Sequence, residues 1–234
     1  MKFYYDLHIH SDLSPCGSDD MTPNNIVNMS LIKGLNIISV TDHNSAANLP
    51  AVMELSEEAG IKVIPGLEVT TREEVHVLCY FKEISSAIEF GGIVYDSLPF
   101  VKNNPLIFGE QNIYNSRDEI TGTLEKLLIN ASSYNIEDIF SIVKKYNGAM
   151  IPAHINKMSN SILGVLGFIP FNLNIDFVEV YLKMPISNKI TEKYKVLNNS
   201  DAHRLVDISE AVNYFELNNI NDVYSYLGMP CEMT

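Results

Sequence analysis

The chain has 234 residues, of which 46% are hydrophobic, and its formal net charge is −13. This composition supplies a sizeable apolar core and argues against intrinsic disorder. The acidic excess disfavours non-specific binding to nucleic acid or an anionic membrane, so we expect neither a stable nucleic-acid complex nor a membrane partner. No apolar run approaches the roughly 18 residues of a membrane helix, and no secretory signal precedes the first predicted strand, so we expect a cytoplasmic protein.

The N-terminal third of the sequence alternates strands with helices. One helix begins after Thr22, with Pro23 in its first turn, and ends at Gly34, while a second stops at Gly60. The connections are short, which predicts parallel strands joined by right-handed crossovers. The predicted elements are strands at 3–10, 36–41 and 61–68, with helices at 22–34 and about 49–59 between them.

The remainder of the chain continues in the same style but is harder to interpret. We interpret residues from about 83 to 133 as an insertion near the mouth of a site, with a strand or hairpin at 107–114 and a helix at 119–130. The other predicted elements are strands at 75–81, 149–154, 176–181, 195–200 and 213–217, and helices at 136–146 and about 220–227.

The first strand carries an unusual polar face. Because side chains alternate across a strand, Asp6, His8 and His10 share one face, while Leu7 and Ile9 point into apolar packing. A strand buried on both faces normally reads as continuous Val, Ile and Leu. Two imidazoles two residues apart on one strand can bind a single metal ion, so this face indicates a site.

The other histidines follow the same rule, because each lies at the end of a predicted strand or within one. Asp201 and His203 repeat the spacing of the first strand, and Glu68 supplies a carboxylate that could bridge two cations. Imidazole combined with carboxylate suits Zn²⁺, Mn²⁺ or Fe²⁺ better than Ca²⁺ or Mg²⁺. The pattern predicts a metal site at the C-terminal ends of the strands, formed by His8, His10, His43, Glu68, His76, His154, Asp201 and His203.

Taken in chain order, these motifs resemble the polymerase and histidinol phosphatase (PHP) superfamily. The resemblance implies a single α/β domain over 1–234, a distorted (β/α)7 barrel, and a metal cluster at the C-terminal strand ends. It covers most of the chain, and stand-alone members of the superfamily are typically phosphoesterases. The segments that carry it are Asp6–Ser11, Thr41–His43, Gly66–Glu68, His76, His154 and Ser200–His203.

The resemblance implies two or three divalent metal ions. The third ion would take a ligand from the loop after the first motif, where relatives commonly carry His or Asp. This chain has Cys16 there, which could bind as a thiolate or simply be packed, and Asp19 or Asp20 could substitute. The implied ligand sets are His8, His10, Glu68 and Asp201 for the first ion, Glu68, His76 and His154 for the second, and His43, His203 and Cys16 for the third.

The implied reaction is hydrolysis of a phosphate mono- or diester through a metal-bound hydroxide. The substrate would be a small metabolite, a nucleotide or an oligonucleotide. Asp201, Glu68 and His203 are the implied catalytic residues. Two other readings remain open. One is a metal-dependent hydrolase that cleaves a C–N or ester bond, and the other is a metal-binding regulatory module without turnover.

Four further residues are candidates for supporting roles. Asp6 and Asp42 could orient ligating imidazoles, although turn and strand-end carboxylates are also common without such a role. Lys157 and Arg204 follow ligand motifs, so either could bind a substrate phosphate or be a solvated surface charge.

Overall fold

The structure is a computed structural model that describes residues 1–181 and 184–230. Its strands are β1 (Lys2–Ile9), β2 (Ile37–Val40), β3 (Lys62–Val63), β4 (Gly66–Thr70), β5 (His76–Tyr80), β6 (Asn112–Tyr114), β7 (Ile120–Thr123), β8 (Ala149–Pro152), β9 (Phe177–Tyr181), β10 (Lys195–Asn199) and β11 (Tyr214–Glu216). Its helices are α1 (Pro23–Ile32), α2 (Leu49–Ala59), α3 (Ile84–Ser97), α4 (Pro105–Phe108), α5 (Ile136–Lys145), α6 (Ile162–Leu166), α7 (Asn188–Thr191) and α8 (Val223–Tyr226).

The first two helices end as their sequences predict. The Thr22 side chain accepts a hydrogen bond from the Asn25 N–H and caps α1. Gly34 and Gly60 follow α1 and α2 with φ of 75° and 72°, a left-handed conformation that glycine adopts without a Cβ clash. Both predicted helices are therefore confirmed. None of the described helices has the length and hydrophobicity needed to cross a lipid bilayer.

Hydrogen-bonded ladders join the described strands into four sheets. β1 and β2 pair in parallel, as do β2 and β3, and β11 adds antiparallel to the free edge of β1. β4, β5 and β8 form an antiparallel sheet, β9 and β10 a parallel pair, and β6 and β7 a hairpin. The predicted strand at 61–68 is split into β3 and β4, because Pro65 between them has no N–H to donate to a ladder.

Single backbone contacts join these sheets where the strands end. The Glu68 N–H donates to the Asp42 carbonyl at 3.1 Å, and the His10 N–H donates to the Ala202 carbonyl at 2.9 Å. The α/β class is confirmed. Among the described residues the ladders do not by themselves close a (β/α)7 barrel, and the antiparallel β4–β5–β8 sheet departs from an all-parallel arrangement.

The segment from 83 to 133 differs most from its prediction. A helix, α3, occupies 84–97, where none was predicted. The predicted helix at 119–130 is wrong, because this stretch begins with β7, which pairs with β6 across a turn that holds Asp118 at a φ of 56°. Ile, Thr and Gly favour a strand or turn over a helix. The strand or hairpin predicted at 107–114 is confirmed for 112–114, whereas 105–108 is helical.

Candidate metal centre

The six histidines of the chain meet near the C-terminal ends of β1, β2, β8 and β10 and at the first residue of β5. Glu68, which is 1% exposed, lies at their centre. Its Oε1 lies 3.0 Å from His76 Nδ1 and 3.2 Å from His154 Nε2. Its Oε2 lies 3.1 Å from His43 Nδ1 and 3.4 Å from His10 Nε2. The buried carboxylate of Glu68 thus contacts histidines that are as far apart in the sequence as His10 and His154.

Four side chains form what we call the inner group: His8, His10, Glu68 and Asp201. The two histidines come from the end of β1 and Asp201 from the turn after β10. The Nε2 atoms of His8 and His10 are 3.1 Å apart. Asp201 Oδ1 lies 3.3 Å from the first and 3.4 Å from the second. His8 Nε2 also lies 3.4 Å from Glu68 Oε1. The structure thus brings together the four side chains predicted for the first ion, and their role as its ligands stays a prediction.

A second set of side chains, which we call the outer group, lies toward the loop after β1. It contains His10, Cys16, His43 and His203, whose potential ligand atoms all lie within 4.8 Å of one another. The ring of His203 stacks on that of His10 at 4.5 Å, and its side chain is 33% exposed. His43 also forms a set with Glu68 and His76, so geometry allows it to serve the second or the third predicted ion.

The polar atoms of this cluster have the properties of an ion-binding site. Glu68 Oε2 and His43 Nδ1 are shielded from water, and although they lie 3.1 Å apart, neither has a hydrogen-bond partner of suitable geometry within the described residues. Buried polar atoms are normally satisfied by hydrogen bonds, and an unpaired one calls for an explanation such as a bound ion. Nitrogen and carboxylate donors with one cysteine are the set expected for Zn²⁺, Mn²⁺ or Fe²⁺. The residues present therefore fit divalent metal ions.

The two acidic residues of the inner group are held in the charged form. Burial disfavours the carboxylate of Glu68, but His76, His8 and His43 around it keep its pKa well below the ordinary value. Burial also disfavours the carboxylate of Asp201, but His8 and His10 outweigh this effect and lower the pKa of Asp201. Both side chains are thus available as anionic ligands.

The imidazoles of His8, His10, His43 and His203 divide into two classes by the direction in which their pKa is shifted. Burial lowers the pKa of His10, but the nearby carboxylates of Asp201 and Glu68 raise it to about 9. The pKa of His8 is also raised, because the negative charges of Glu179, Asp201 and Glu68 outweigh the effect of burial. Burial dominates at the other two histidines of the outer group: it lowers the pKa of His43 and, together with nearby His10, lowers that of His203 to about 4. Burial also raises the pKa of the Cys16 thiol.

Two of the predicted ligands occupy an uncommon backbone conformation. His154 has a φ of 30° and Asp201 a φ of 51°, both in the left-handed region. Residues other than glycine rarely adopt this region, and they cluster at functional sites when they do. His154 lies two residues beyond the end of β8 and Asp201 two residues beyond the end of β10, so the sharp turn after each strand aims the side chain inward.

Asp42 contacts the centre through a serine. Its Oδ1 accepts a hydrogen bond from Ser14 Oγ at 2.6 Å, and Ser14 Oγ lies 3.0 Å from His10 Nδ1. Because the serine proton is donated to the carboxylate, the oxygen accepts from His10 Nδ1–H. His10 is left with Nε2 facing Glu68 and Asp201. Asp6 acts on the backbone, since its carboxylate accepts from the N–H groups of Ser200 at 3.1 Å and Ser209 at 2.9 Å.

One carboxylate at the centre was missed in the sequence. Glu179 lies in β9 between Val178 and Val180, and it is 1% exposed. Its two carboxylate oxygens lie 2.9 and 3.0 Å from His8 Nδ1. The available signal was a lone acidic residue in an otherwise apolar buried strand, the same signal that identified the polar face of β1.

The two predicted phosphate-binding cations differ in position. Lys157 lines a cleft of about 120 Å³ that leads to His43, Glu68 and His76, and its ammonium group forms an ion pair with Asp201. Arg204 lies outside that cleft, 67% exposed, and pairs with Asp207 at 2.8 Å. Of the two, Lys157 is the one that lies beside the predicted ligands.

Comparison with known proteins gives a match over most of the chain. The sequence model of the PHP domain family matches residues 6–173. A phosphoribosyl 1,2-cyclic phosphate 1,2-diphosphodiesterase of Eggerthella lenta is 35% identical over 78 residues, which are 31% of this chain and 29% of that protein. A 5'-3' exoribonuclease of Haemophilus influenzae is 30% identical over 77 residues, 32% of this chain and 27% of that protein. The chain thus covers less than a third of either relative.

A solved structure resembles the fold over nearly the whole chain. The lesion-specific endonuclease PfuEndoQ from Pyrococcus furiosus has a TM-score of 0.66 and 22% sequence identity. The match covers 94% of this chain and 54% of that one. At this identity the likeness concerns the fold alone. The resemblance stated from the motifs is confirmed by these matches, and the names of the relatives are those of hydrolases.

Proposed function

Because the chain belongs to the PHP domain family, we propose that it is a metal-dependent phosphoesterase that hydrolyses phosphate mono- or diesters. The observation that carries the proposal is the environment of Glu68. Five imidazoles approach its carboxylate at 3.0–3.4 Å, and one of its oxygens has no hydrogen-bond partner within the described residues. A carboxylate of this kind is suited to bridging two cations.

Two or three divalent ions would be bound, with the inner group as the first site. Glu68, His76 and His154 would hold the second ion, and Cys16, His43 and His203 the third. When bound, such ions supply Lewis-acid charge that polarises phosphoryl oxygens and acidifies water. The protein contributes fixed ligand positions and a buried setting, in which electrostatic effects are stronger than in bulk water.

Lys157 is the side chain that we assign to the substrate phosphate. Burial lowers its pKa, but the charge of Asp201 more than offsets this and raises it, so the ammonium group is charged at neutral pH. An ammonium group beside the ligand cluster can donate a charge-assisted hydrogen bond to a non-bridging phosphate oxygen. Arg204 is assigned no such role, because it faces solvent outside the cleft.

The substrate that we propose is a small phosphorylated metabolite, a nucleotide or the end of an oligonucleotide. The cleft of about 120 Å³ fits a phosphate group with its immediate substituents. The net charge of −13 disfavours long contacts along a nucleic-acid backbone. Two of the similar proteins carry nuclease names, so oligonucleotides belong in the substrate screen.

The proposal includes the closure of the strands into a distorted (β/α)7 barrel. Single backbone hydrogen bonds between neighbouring strand ends support it. They join Glu68 to Asp42 at 3.1 Å, His10 to Ala202 at 2.9 Å and Ile155 to Glu179 at 2.9 Å.

The test is turnover of chromogenic esters by the purified protein with Mn²⁺ or Zn²⁺. We expect hydrolysis of p-nitrophenyl phosphate or its bis ester, and a loss of more than about 100-fold in kcat/KM for Glu68→Gln, because mutation even of residues that only support ligands costs about 10–100-fold. Glu58→Gln, an exposed change on α2, is the matched control and should retain activity.

Two results would contradict the proposal. One is hydrolysis of p-nitrophenyl acetate or amides with no turnover of any phosphate ester, which would favour the other hydrolase class. The second is metal binding without turnover of any of these substrates or of a panel of nucleotides and oligonucleotides, which would favour a regulatory module.

A further inference from the structure

Glu179 is a buried carboxylate that no predicted role explains. Removing a carboxylate from water is costly unless hydrogen bonds and charges compensate it. Three donors do so here. His8 Nδ1 lies at 2.9 Å, Asn199 Nδ2 at 2.7 Å and the His154 backbone N–H at 2.8 Å. These donors come from the first strand, from β10 and from the residue pair that follows β8.

The first contact fixes the protonation pattern of His8. Both oxygens of Glu179 lie 2.9–3.0 Å from His8 Nδ1, and the two other groups that contact them are N–H donors, so the Glu179 carboxylate is the acceptor in every one of these contacts. His8 must then carry its proton on Nδ1. Its Nε2 is left unprotonated in the neutral ring, 3.3 Å from Asp201 Oδ1 and 3.4 Å from Glu68 Oε1.

The second contact fixes the backbone of His154. The N–H of this residue would point elsewhere in an extended strand, but at a φ of 30° it donates to Glu179 Oε2. The next N–H, that of Ile155, donates to the backbone carbonyl of Glu179 at 2.9 Å. His154 is therefore held to β9 from both sides, with its ring Nε2 3.2 Å from Glu68 Oε1.

We propose that Glu179 is a positioning residue that aligns one ligand of each of two metal ions, His8 for the first and His154 for the second. The inference rests on the proposed metal-dependent function, but it concerns metal binding and does not depend on the substrate. Carboxylates that accept from the second nitrogen of a ligating imidazole set its tautomer and raise its basicity. Here one carboxylate also holds the backbone of a second ligand.

The test is Glu179→Gln, with Glu58→Gln as the matched control. Glutamine keeps the volume, but its single carbonyl oxygen cannot accept from all three donors. We expect the affinities of the two tightest Mn²⁺ or Zn²⁺ equivalents, measured by competition with a chromophoric chelator, to fall together by about 10–100-fold. The far-UV spectrum of the metal-free variant should match that of the unmutated protein.

A measurement on the unmutated protein keeps the inference open to refutation if the variant does not fold. In the metal-loaded protein, ¹⁵N spectra of the histidine rings should show His8 protonated at Nδ1 and metal-bound through Nε2. The opposite tautomer would overturn the inference, as would unchanged affinities in Glu179→Gln. Metal binding that depends on Glu179 in a protein that cleaves no phosphate ester would support this inference while refuting the proposed function.

Discussion

The inner and outer groups share His10 but are built differently. In the inner group, His8 Nδ1 contacts Glu179 directly, and His10 Nδ1 contacts Asp42 through Ser14. A carboxylate therefore orients each ring through the nitrogen that faces away from Glu68 and Asp201. In the outer group, His203 Nδ1 lies 2.8 Å from a backbone carbonyl, that of Asp201, and the side chain is partly exposed. His8 and His10 are thus fixed before an ion arrives, whereas the partly exposed His203 is less constrained. We expect the inner ion to bind more tightly.

The largest expected effect compares one histidine from each group. His8→Ala should weaken the tightest metal equivalent by more than about 100-fold, because it removes a ligand that is already oriented. His203→Ala should change the affinity of the tightest equivalent by less than about 10-fold and should weaken the binding of the weakest equivalent instead. Titration of both variants with Mn²⁺ against a competing chelator measures the difference. Equal losses in the two variants would remove the distinction between the groups.

A smaller effect is expected at Cys16, the position where this chain departs from the family pattern. Elemental analysis should find close to three ions per chain in the unmutated protein if the thiolate is a ligand, and close to two in Cys16→Ala. Cys16→Asp should restore the third ion, because a carboxylate at this position can also bind a divalent cation. A metal content that is the same in all three proteins would show that Cys16 is only packed.

The smallest effect is a dependence of stability on pH that the inner group controls. In the metal-free protein the pKa of His10 is about 9 and that of His8 is raised. A histidine whose folded pKa is raised stabilises the fold fully below its unfolded value of about 6.5, and this stabilisation is lost as the pH rises through the folded value. The pKa of His203 is lowered to about 4, so this histidine does not change its charge between these two pH values.

The melting temperature in EDTA should therefore fall by several degrees between pH 6.5 and 9. The gain in melting temperature on adding Mn²⁺ should grow over the same window, because ions compete with protons for the same nitrogens. Differential scanning calorimetry at three pH values measures both trends. A metal-free protein that becomes more stable toward pH 9 would contradict the assignment of raised pKa values to the inner group.

The sequence predicts the centre better than its surroundings, and the reason is physical. Strand periodicity and strand ends are local features, so the spacing of His8, His10 and Asp201 is enough to predict that they lie at the C-terminal ends of strands. The roles of their supporting groups depend on distant partners. Glu179 lies 171 residues from His8 along the chain, and nothing near it in the sequence indicates that contact.

The hairpin at 112–123 shows the same limit in secondary structure. The backbone N–H of Tyr114 donates to Asn48 Oδ1 at 2.9 Å, and the Asn48 amide in turn donates to Ser11 Oγ at 2.9 Å. These tertiary contacts hold the segment in an extended conformation beside the loop after β1. The predicted helix over its second strand neglected the local preference of Ile, Thr and Gly for a strand or turn, and the contact that positions its first strand comes from a residue 66 positions away.

The left-handed backbone at His154 and Asp201 also bears on how this protein could evolve toward higher heat resistance. Glycine at either position would relieve the strain of a left-handed main chain. The same exchange would delete a side chain that faces Glu68 or His8. Selection for stability and selection for chemistry therefore oppose each other at these two corners, and gains in heat resistance should accumulate elsewhere in the fold.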